Sequence, residues 1–309
     1  MIYGPVPSRR LGISLGVDII PHKTCSYDCI YCQLGKTTHQ TLQRKSYIKM
    51  SSFLDEVRKT IDLNEDIDYL TFAGSGEPTL NRDIGRMINE VKKITRIPVA
   101  VLTNGSLLWD KMIRDDLRQA DLVIPSLDAV SERIFQRVNR PSVGLKAKMV
   151  REGIEKFCRG FKGKIYLEIM LVKNINDAEA EIERINRFVR NLRIDRIQLN
   201  TVVRPPHDPG ARPLNQKELD EVKGLFDPKL ESEVIANFKR ETIKAYHQDL
   251  ESAIIELLKR RPAKTEEMAV SLGVHLNEMV KHLQMLEERK KIRRTKAEDR
   301  PETYFVVVP

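Results

Sequence analysis

Three cysteines, Cys25, Cys29 and Cys32, fall within eight residues of a chain that has four cysteines in all. Thiolates at such short spacing can reach one metal centre from successive turns of a single loop. Three of them leave a coordination position open, and an open position permits chemistry. Structural zinc takes four ligands, usually as two separated pairs. Here there is no second pair, although His22 or His39 could supply a fourth ligand. An iron–sulfur cube on three cysteines is the better match, because its fourth iron stays free for a substrate or cofactor. Cys158 falls in an apolar helical pattern and reads as a small buried hydrophobe.

The elements that must position this loop alternate along the chain. Short β-branched runs at residues 14–20, 69–73, 99–102, 122–125, 164–171 and 196–202 predict strands. Apolar residues at helical spacing lie between them, as in Phe53, Val57 and Ile61 or Ile182, Ile185 and Val189. Six strand–helix units in series predict an α/β domain with a mostly parallel sheet, either doubly wound or an incomplete barrel. The near-continuous apolar run at 165–171 predicts a sheet covered on both faces. Either architecture gathers ligands at the C-terminal strand ends. At those ends stand Gly74-Ser-Gly76-Glu77-Pro78, Thr103-Asn104-Gly105, Ser126-Leu-Asp128, Lys173, and a proline-rich loop with Arg204, His207 and Arg212. Lys173 could form a Schiff base with a carbonyl substrate. Arg9 and Arg10 precede the first of these strands and would start on the opposite face.

From residue 249 the pattern changes to helix, short helix, glycine turn and helix, then a hairpin turning at 298–301. This order predicts a winged helix with His275, Asn277 and Lys281 on its recognition helix. The expected division is a partial barrel over 1–225, a connector over 226–248 with one more strand near 233–238, and the winged helix over 249–309. Net charge is +9 and the pI about 9.3, which favours a polyanionic partner. Residues 249–309 hold twelve basic against eleven acidic residues, so the excess lies in the first 248. No apolar run reaches membrane-spanning length and the N-terminus lacks a signal pattern, so the expected location is cytoplasmic, where thiols stay reduced.

The Cys-x3-Cys-x2-Cys loop, with Tyr31 just before the last cysteine, resembles the radical S-adenosylmethionine (SAM) superfamily. That resemblance implies a partial (β/α)6 TIM-like barrel. It implies a 4Fe–4S cluster on Cys25, Cys29 and Cys32, whose unique iron chelates the amino and carboxylate groups of SAM. Reductive cleavage of SAM would then yield a 5′-deoxyadenosyl radical that abstracts a substrate hydrogen. It also implies that Tyr31, Gly74, Gly76, Glu77, Asn104, Ser126 and Asp128 surround the cofactor, and that an electron donor such as ferredoxin or flavodoxin reduces the cluster. Pro7-Ser-Arg-Arg-Leu-Gly12, Gly76-Glu-Pro-Thr79 and Ser126-Leu-Asp-Ala129 resemble the branch that holds the archaeal tRNA wyosine-base synthases. The implied substrate is a tRNA or a nucleotide; no catalytic residue beyond the cofactor set is assigned. Met1–Thr24 lacks the cysteines that those synthases use for a second cluster. Two other readings remain at this stage: a radical maturase acting on a peptide or cofactor, and a cluster-containing DNA-binding regulator.

Overall fold

The computed structural model describes residues 1–64, 66–235, 250–274, 276–296 and 302–308. Two N-terminal strands, β1 (Ile2–Ser8) and β2 (Gly12–Val17), precede two short ones, β3 (Thr24–Cys25) and β4 (His39–Gln40). Helix and strand then alternate through α1 (Met50–Asp62), β5 (Tyr69–Phe72), α2 (Ile84–Ile94), β6 (Val99–Thr103), α3 (Lys111–Asp116) and β7 (Leu122–Pro125). Next come α4 (Glu132–Val138), α5 (Ala147–Gly160), β8 (Lys164–Leu171), α6 (Glu179–Val189), β9 (Arg196–Thr201), α7 (Gln216–Gly224) and β10 (Ser232–Val234). A last group holds α8 (Leu250–Arg260), α9 (Thr265–Ser271), α10 (Leu276–Glu288) and an antiparallel pair, β11 (Ile292–Lys296) and β12 (Thr303–Val307).

The main sheet has the order β1-β2-β5-β6-β7-β8-β9-β10, with β1 antiparallel and the other neighbours parallel. The expected mostly parallel α/β sheet is therefore present. Strand β1 was not expected, because Pro5 and Pro7 lie within it; it is an edge strand, where a missing N–H costs no ladder bond on the open side. The second strand stops at Val17 rather than Ile20 because the Asp18 carboxylate turns the chain, accepting from the Ile20 and Ser75 N–H groups. Of the strand expected near 233–238, β10 holds the first part, and residues 236–238 lie outside the described residues, as do most of the connector, His275 and the 298–301 turn. The side chains of Asn277 and Lys281 lie outside them too.

The two faces of this sheet differ in chemistry. Side chains alternate along a strand, and one set, including Leu15, Val17, Phe72, Val101, Ile165, Leu167 and Leu199, is buried in the main apolar core with the helices. The opposite set includes Ser14, Thr71, Glu168, Gln198 and Asn200. The run at 165–171 is thus not covered by oil on both sides, as its composition suggested. Tyr166, Glu168 and Met170 alternate with the core residues Ile165, Leu167, Ile169 and Leu171.

The β1–β2 turn closes the polar side from one end. Leu11 packs with Ala100, Leu122 and Ile124. Arg10 pairs both Nη atoms with Glu168 of β8 at 3.0 and 2.7 Å, and Arg9 donates to Asn200 of β9 at 3.0 Å. Residues at the first edge of the strand order thus meet residues near the last, which requires the sheet to curl around its polar face.

The last group has its own apolar cluster, centred on Ile254, Met268, Met279, Leu286 and Phe305. It is docked on the sheet through polar contacts. Tyr304 donates to the Val203 carbonyl at 2.7 Å, and the Arg260 guanidinium lies 4.5 Å from the Tyr3 ring centroid. Gly16 makes room for that ring, since a Cβ there would sit 2.1 Å from Tyr3 Cζ. Among the described residues no helix is long and apolar enough to cross a membrane.

Candidate active site

The cysteine loop leaves the C-terminal end of β2 and is pinned on both sides. Backbone bonds join Asp28 and Ile30 to the carbonyls of Asn139 and Val138, and Ser142 donates twice to the Ser26 carbonyl. Tyr27 packs edge-on against Phe135, with ring centroids 5.5 Å apart. Gly76 presses on the loop so closely that a Cβ would fall 1.9 Å from the Thr24 carbonyl oxygen. Only glycine allows that approach.

Each loop sulfur meets one N–H donor from a different place. Asn104 Nδ2 lies 3.5 Å from Cys25 Sγ, Asn139 Nδ2 lies 3.5 Å from Cys29 Sγ, and Lys23 Nζ lies 3.2 Å from Cys32 Sγ. Lys23 is 3% exposed and holds a left-handed backbone, φ 60°, which aims its amine back at the loop. Burial, then the Glu77 charge, pushes the Cys25 thiol up to about 12, and burial with Asp128 pushes Cys29 well above the ordinary thiol range. Without a cation these thiols stay protonated and inert; a metal centre reverses that balance. All three are free cysteines, whereas Cys158 is buried in the main core, as its helical pattern suggested. Among the described residues no group of three or more His, Cys, Asp or Glu side chains is arranged around a single ion. An iron–sulfur cube binds each cysteine through a different iron, so its ligands stand further apart than those of one zinc.

The loop opens on a cavity of about 700 Å³, within the usual range for small-ligand sites. Cys25, Cys29, Tyr31 and Cys32 line it, as do Gly74, Gly76, Glu77, Asn104 and Ser126 from the ends of β5, β6 and β7. The structure therefore brings together all the residues expected around a cofactor but one.

Asp128 stands behind this wall. It is 3% exposed, and its carboxylate accepts from Tyr31 Oη at 2.5 Å, Asn139 Nδ2 at 2.7 Å and the Met170 N–H at 3.0 Å. Burial raises its pKa to about 6 despite these donors. It does not cap the next helix, which Ser131 opens; it positions Tyr31 and the donor to Cys29. Glu77 is similarly occupied, accepting from Thr79 N and Oγ1, Thr103 Oγ1 and the Asn104 N–H. Three of these reach Oε1 and one Oε2, so Oε2 keeps an acceptor position. Burial raises the Glu77 pKa, and the same donors restrain the rise. Ser126 Oγ has no hydrogen-bond partner within the described chain and is half-buried at the cavity wall.

Other expectations resolve differently. Lys173 is ion-paired with Glu218 at 2.5 Å on the surface, away from the cavity, which removes the basis for a Schiff base. Arg9 and Arg10, expected on the far face, line the cavity because the β1–β2 turn folds into the curled sheet. Sequence reasoning missed Lys23, Ser26 and Asn139. Lys23 and Ser26 adjoin Cys25 and were within reach of a local reading, but Asn139 is 110 positions from Cys29 and no spacing connects them.

Comparison with known proteins settles the family. The Radical SAM superfamily model matches residues 19–185. The chain belongs to the radical SAM superfamily. It is 37% identical over 227 residues to the UPF0026 protein of Methanocaldococcus jannaschii, covering 73% of this chain and 70% of that one, and it belongs to the UPF0026 group as well. A Brachyspira hyodysenteriae protein called GTPase Obg is 39% identical over 293 residues; the match covers 94% of this chain but spans only 43% of that protein. A GTP 3′,8-cyclase of Clostridium acetobutylicum is 28% identical over 191 residues, covering 61% of this chain and 55% of the cyclase. In fold, TYW1 with a lysine–pyruvate adduct bound superposes with a TM-score of 0.51 at 15% identity, covering 69% of this chain and 72% of TYW1. This radical SAM protein is therefore an enzyme, and its cofactors are a 4Fe–4S cluster and SAM.

Proposed function

We propose that Cys25, Cys29 and Cys32 hold the 4Fe–4S cluster, that the adjoining cavity holds SAM, and that the enzyme modifies a tRNA or nucleotide. The observation that carries the cofactor assignment is the set of three thiols at one cavity mouth, each met by a separate N–H donor. The donor chemistry fits the group: three free thiols on one loop, two of which, Cys25 and Cys29, are held protonated by desolvation until a cation ionises them. When bound, the cluster supplies the electron that cleaves SAM and starts radical chemistry.

The chain's own residues bind, orient and exclude water. The Gly74–Gly76 backbone and Glu77 Oε2 offer acceptors to the ammonium of SAM, and Ser126 Oγ offers a free hydroxyl. Asn104 bridges Cys25 Sγ and Ser26 Oγ, tying the strand end to the loop. Tyr31 is held by Asp128, so its ring stays at the cavity wall instead of turning to solvent. Leu257 and Leu272 of the last group cover the mouth, keeping water from a reactive centre.

The substrate class rests on charge and on kinship. The basic excess lies in the first 248 residues, and relatives include a GTP cyclase. Within the superfamily we place the chain near the tRNA wyosine-base synthases in substrate class rather than in reaction. Its fourth cysteine is buried in the core, so the sequence offers thiols for one cluster. The group α8–α10 with the β11–β12 pair has the element order of a winged helix, and its basic strand β11, with Arg293, Arg294 and Lys296 exposed, suits phosphate contact. A ferredoxin or flavodoxin is the proposed reductant.

Anaerobically reconstituted enzyme, given SAM and dithionite, is expected to release 5′-deoxyadenosine, and Cys29→Ala to release none. Equal release from both proteins at verified cluster content would end this reading. Crosslinking to total RNA is expected to enrich tRNA above background; recovery at background level would remove the tRNA substrate and leave the cofactor assignment standing.

A further inference from the structure

Besides the cysteines, the same cavity is lined by arginines. Arg9 follows β1, Arg204 follows β9 and Arg261 follows α8, so three distant segments contribute to one surface. Their charges are not balanced. Arg10 is neutralised by its two-pronged bond to Glu168. Arg204 has one carboxylate, Glu267, at a loose 3.4 Å. Among the described residues Arg9 bonds only to neutral acceptors, Asn200 Oδ1 and the Ile235 carbonyl. The Arg261 side chain makes no hydrogen bond or ion pair among the described residues, and its backbone N–H is spent on Leu257. Four guanidiniums therefore share two carboxylates, Glu168 and Glu267, a surplus of two positive charges.

Arg204 is the best buried of the set. It is 7% exposed, and its Nε is buried with no partner. A buried, unsatisfied guanidinium N–H is costly to the fold. Mutual repulsion adds to the cost: burial, then Arg204, pushes Arg9 down to about 9 and Arg261 down to about 10. The charge of Arg260, by contrast, is answered, since it lies over the Tyr3 ring and faces Asp18 and Glu256 at 3.9 and 3.8 Å, although its buried Nε, like that of Arg204, has no hydrogen-bond partner.

From this geometry we infer that Arg9, Arg204 and Arg261 form a subsite for a phosphate group of the substrate, and that the C-terminal group completes the active site by supplying Arg261. Guanidinium forks match phosphate oxygens, and a phosphomonoester carries about two negative charges near pH 7, which equals the surplus. The position also fits. Arg204 Nη1 lies 3.4 Å from Gln33 Oε1, next to Cys32, so a phosphate on this wall leaves the rest of the molecule over the cysteine loop. The cofactor residues Glu77, Asn104 and Ser126 stand on the ends of β5–β7, whereas Arg9 and Arg204 sit at β9 and β10, farther along the strand order. The inference rests on the radical SAM reading of the site for the identity of that neighbour.

The test uses reconstituted full-length enzyme and inorganic phosphate, with acetate as the control at equal ionic strength. Calorimetry is expected to show saturable phosphate binding that Arg261→Gln weakens about tenfold or more, with Arg261→Lys intermediate. SAM affinity is expected to stay within about twofold in both variants. Arg9→Gln provides an independent variant from another segment, with the same outcome expected. Absence of saturable phosphate binding, equal binding of acetate, or loss of SAM affinity instead of phosphate affinity would each overturn the proposal. Release of 5′-deoxyadenosine is measured on the same samples, so a failure of the radical reading and a failure of the phosphate site give different results.

Discussion

The two walls of the cavity follow opposite rules. On the cysteine wall, nearly every polar atom is answered from within the chain. Glu77 accepts four hydrogen bonds, Asp128 three, and each cysteine sulfur one. On the arginine wall, cations outnumber their partners among the described residues, and the buried Nε atoms of Arg204 and Arg260 have no hydrogen-bond partner. A saturated wall is rigid before anything binds, which suits a cofactor that must be held in one geometry. An unsatisfied wall stores free energy that a ligand recovers. The difference separates what is built in from what must come and go.

The largest effect is expected from loosening the saturated wall at Gly76. Gly76→Ala forces a Cβ onto the Thr24 carbonyl, and displacement of the loop should cost about 3 kcal/mol in urea unfolding, with poor cluster incorporation. An unchanged unfolding midpoint would mean that the loop can shift freely and that the wall is not rigid.

Asp128 provides a pH test of the same wall. Its folded pKa, about 6, lies above the unfolded value near 4, so the folded chain holds this proton more tightly. Its contribution favours the fold at low pH and is lost as pH rises through 6. Relative to Asp128→Asn, the wild type should therefore lose roughly 2 kcal/mol of stability between pH 4.5 and 7. Parallel stability curves for the two proteins would refute the raised pKa.

With the proposed cluster on Cys32, the amine of Lys23 would lie beside one of its ligands. A cation beside Cys32 favours the reduced, more negative state, so Lys23→Met should lower the midpoint potential. One charge-assisted bond of about 1.4 kcal/mol corresponds to about 60 mV for one electron. Spectroscopic redox titration measures this directly, and a rise instead of a fall would reverse the assigned sign.

The smallest effect is the one with opposite sign. Replacing Arg261, which has no hydrogen bond or ion pair among the described residues, with methionine should stabilise the unliganded chain by about 1 kcal/mol, because a half-buried, poorly compensated charge is removed. Destabilisation on the scale of the cysteine-wall variants would show that both walls follow one rule.

Much of the site was legible before any coordinates. Three thiols in eight residues can only sit on one loop, and glycine, glutamate, asparagine and serine at successive strand ends must converge if the sheet is parallel. What the text could not carry was direction. Asp128 was readable as a cofactor contact, yet its carboxylate faces Tyr31, Asn139 and the Met170 N–H. The run at 165–171 reads as uniformly apolar because tyrosine and methionine score as hydrophobic, while the strand in fact alternates between the main core and the sheet's other face, where Glu168 reaches the cavity and Tyr166 packs with a second cluster.

By itself, then, the sequence determined the three-cysteine loop, the strand–helix alternation and the superfamily, because each depends on residues close together in the chain. Only the tertiary structure decided that Arg9, Arg204 and Arg261 share a wall. Their meeting depends on how far the sheet curls and where the last helices dock. Those are outcomes of packing between segments some 200 residues apart, which no local pattern records.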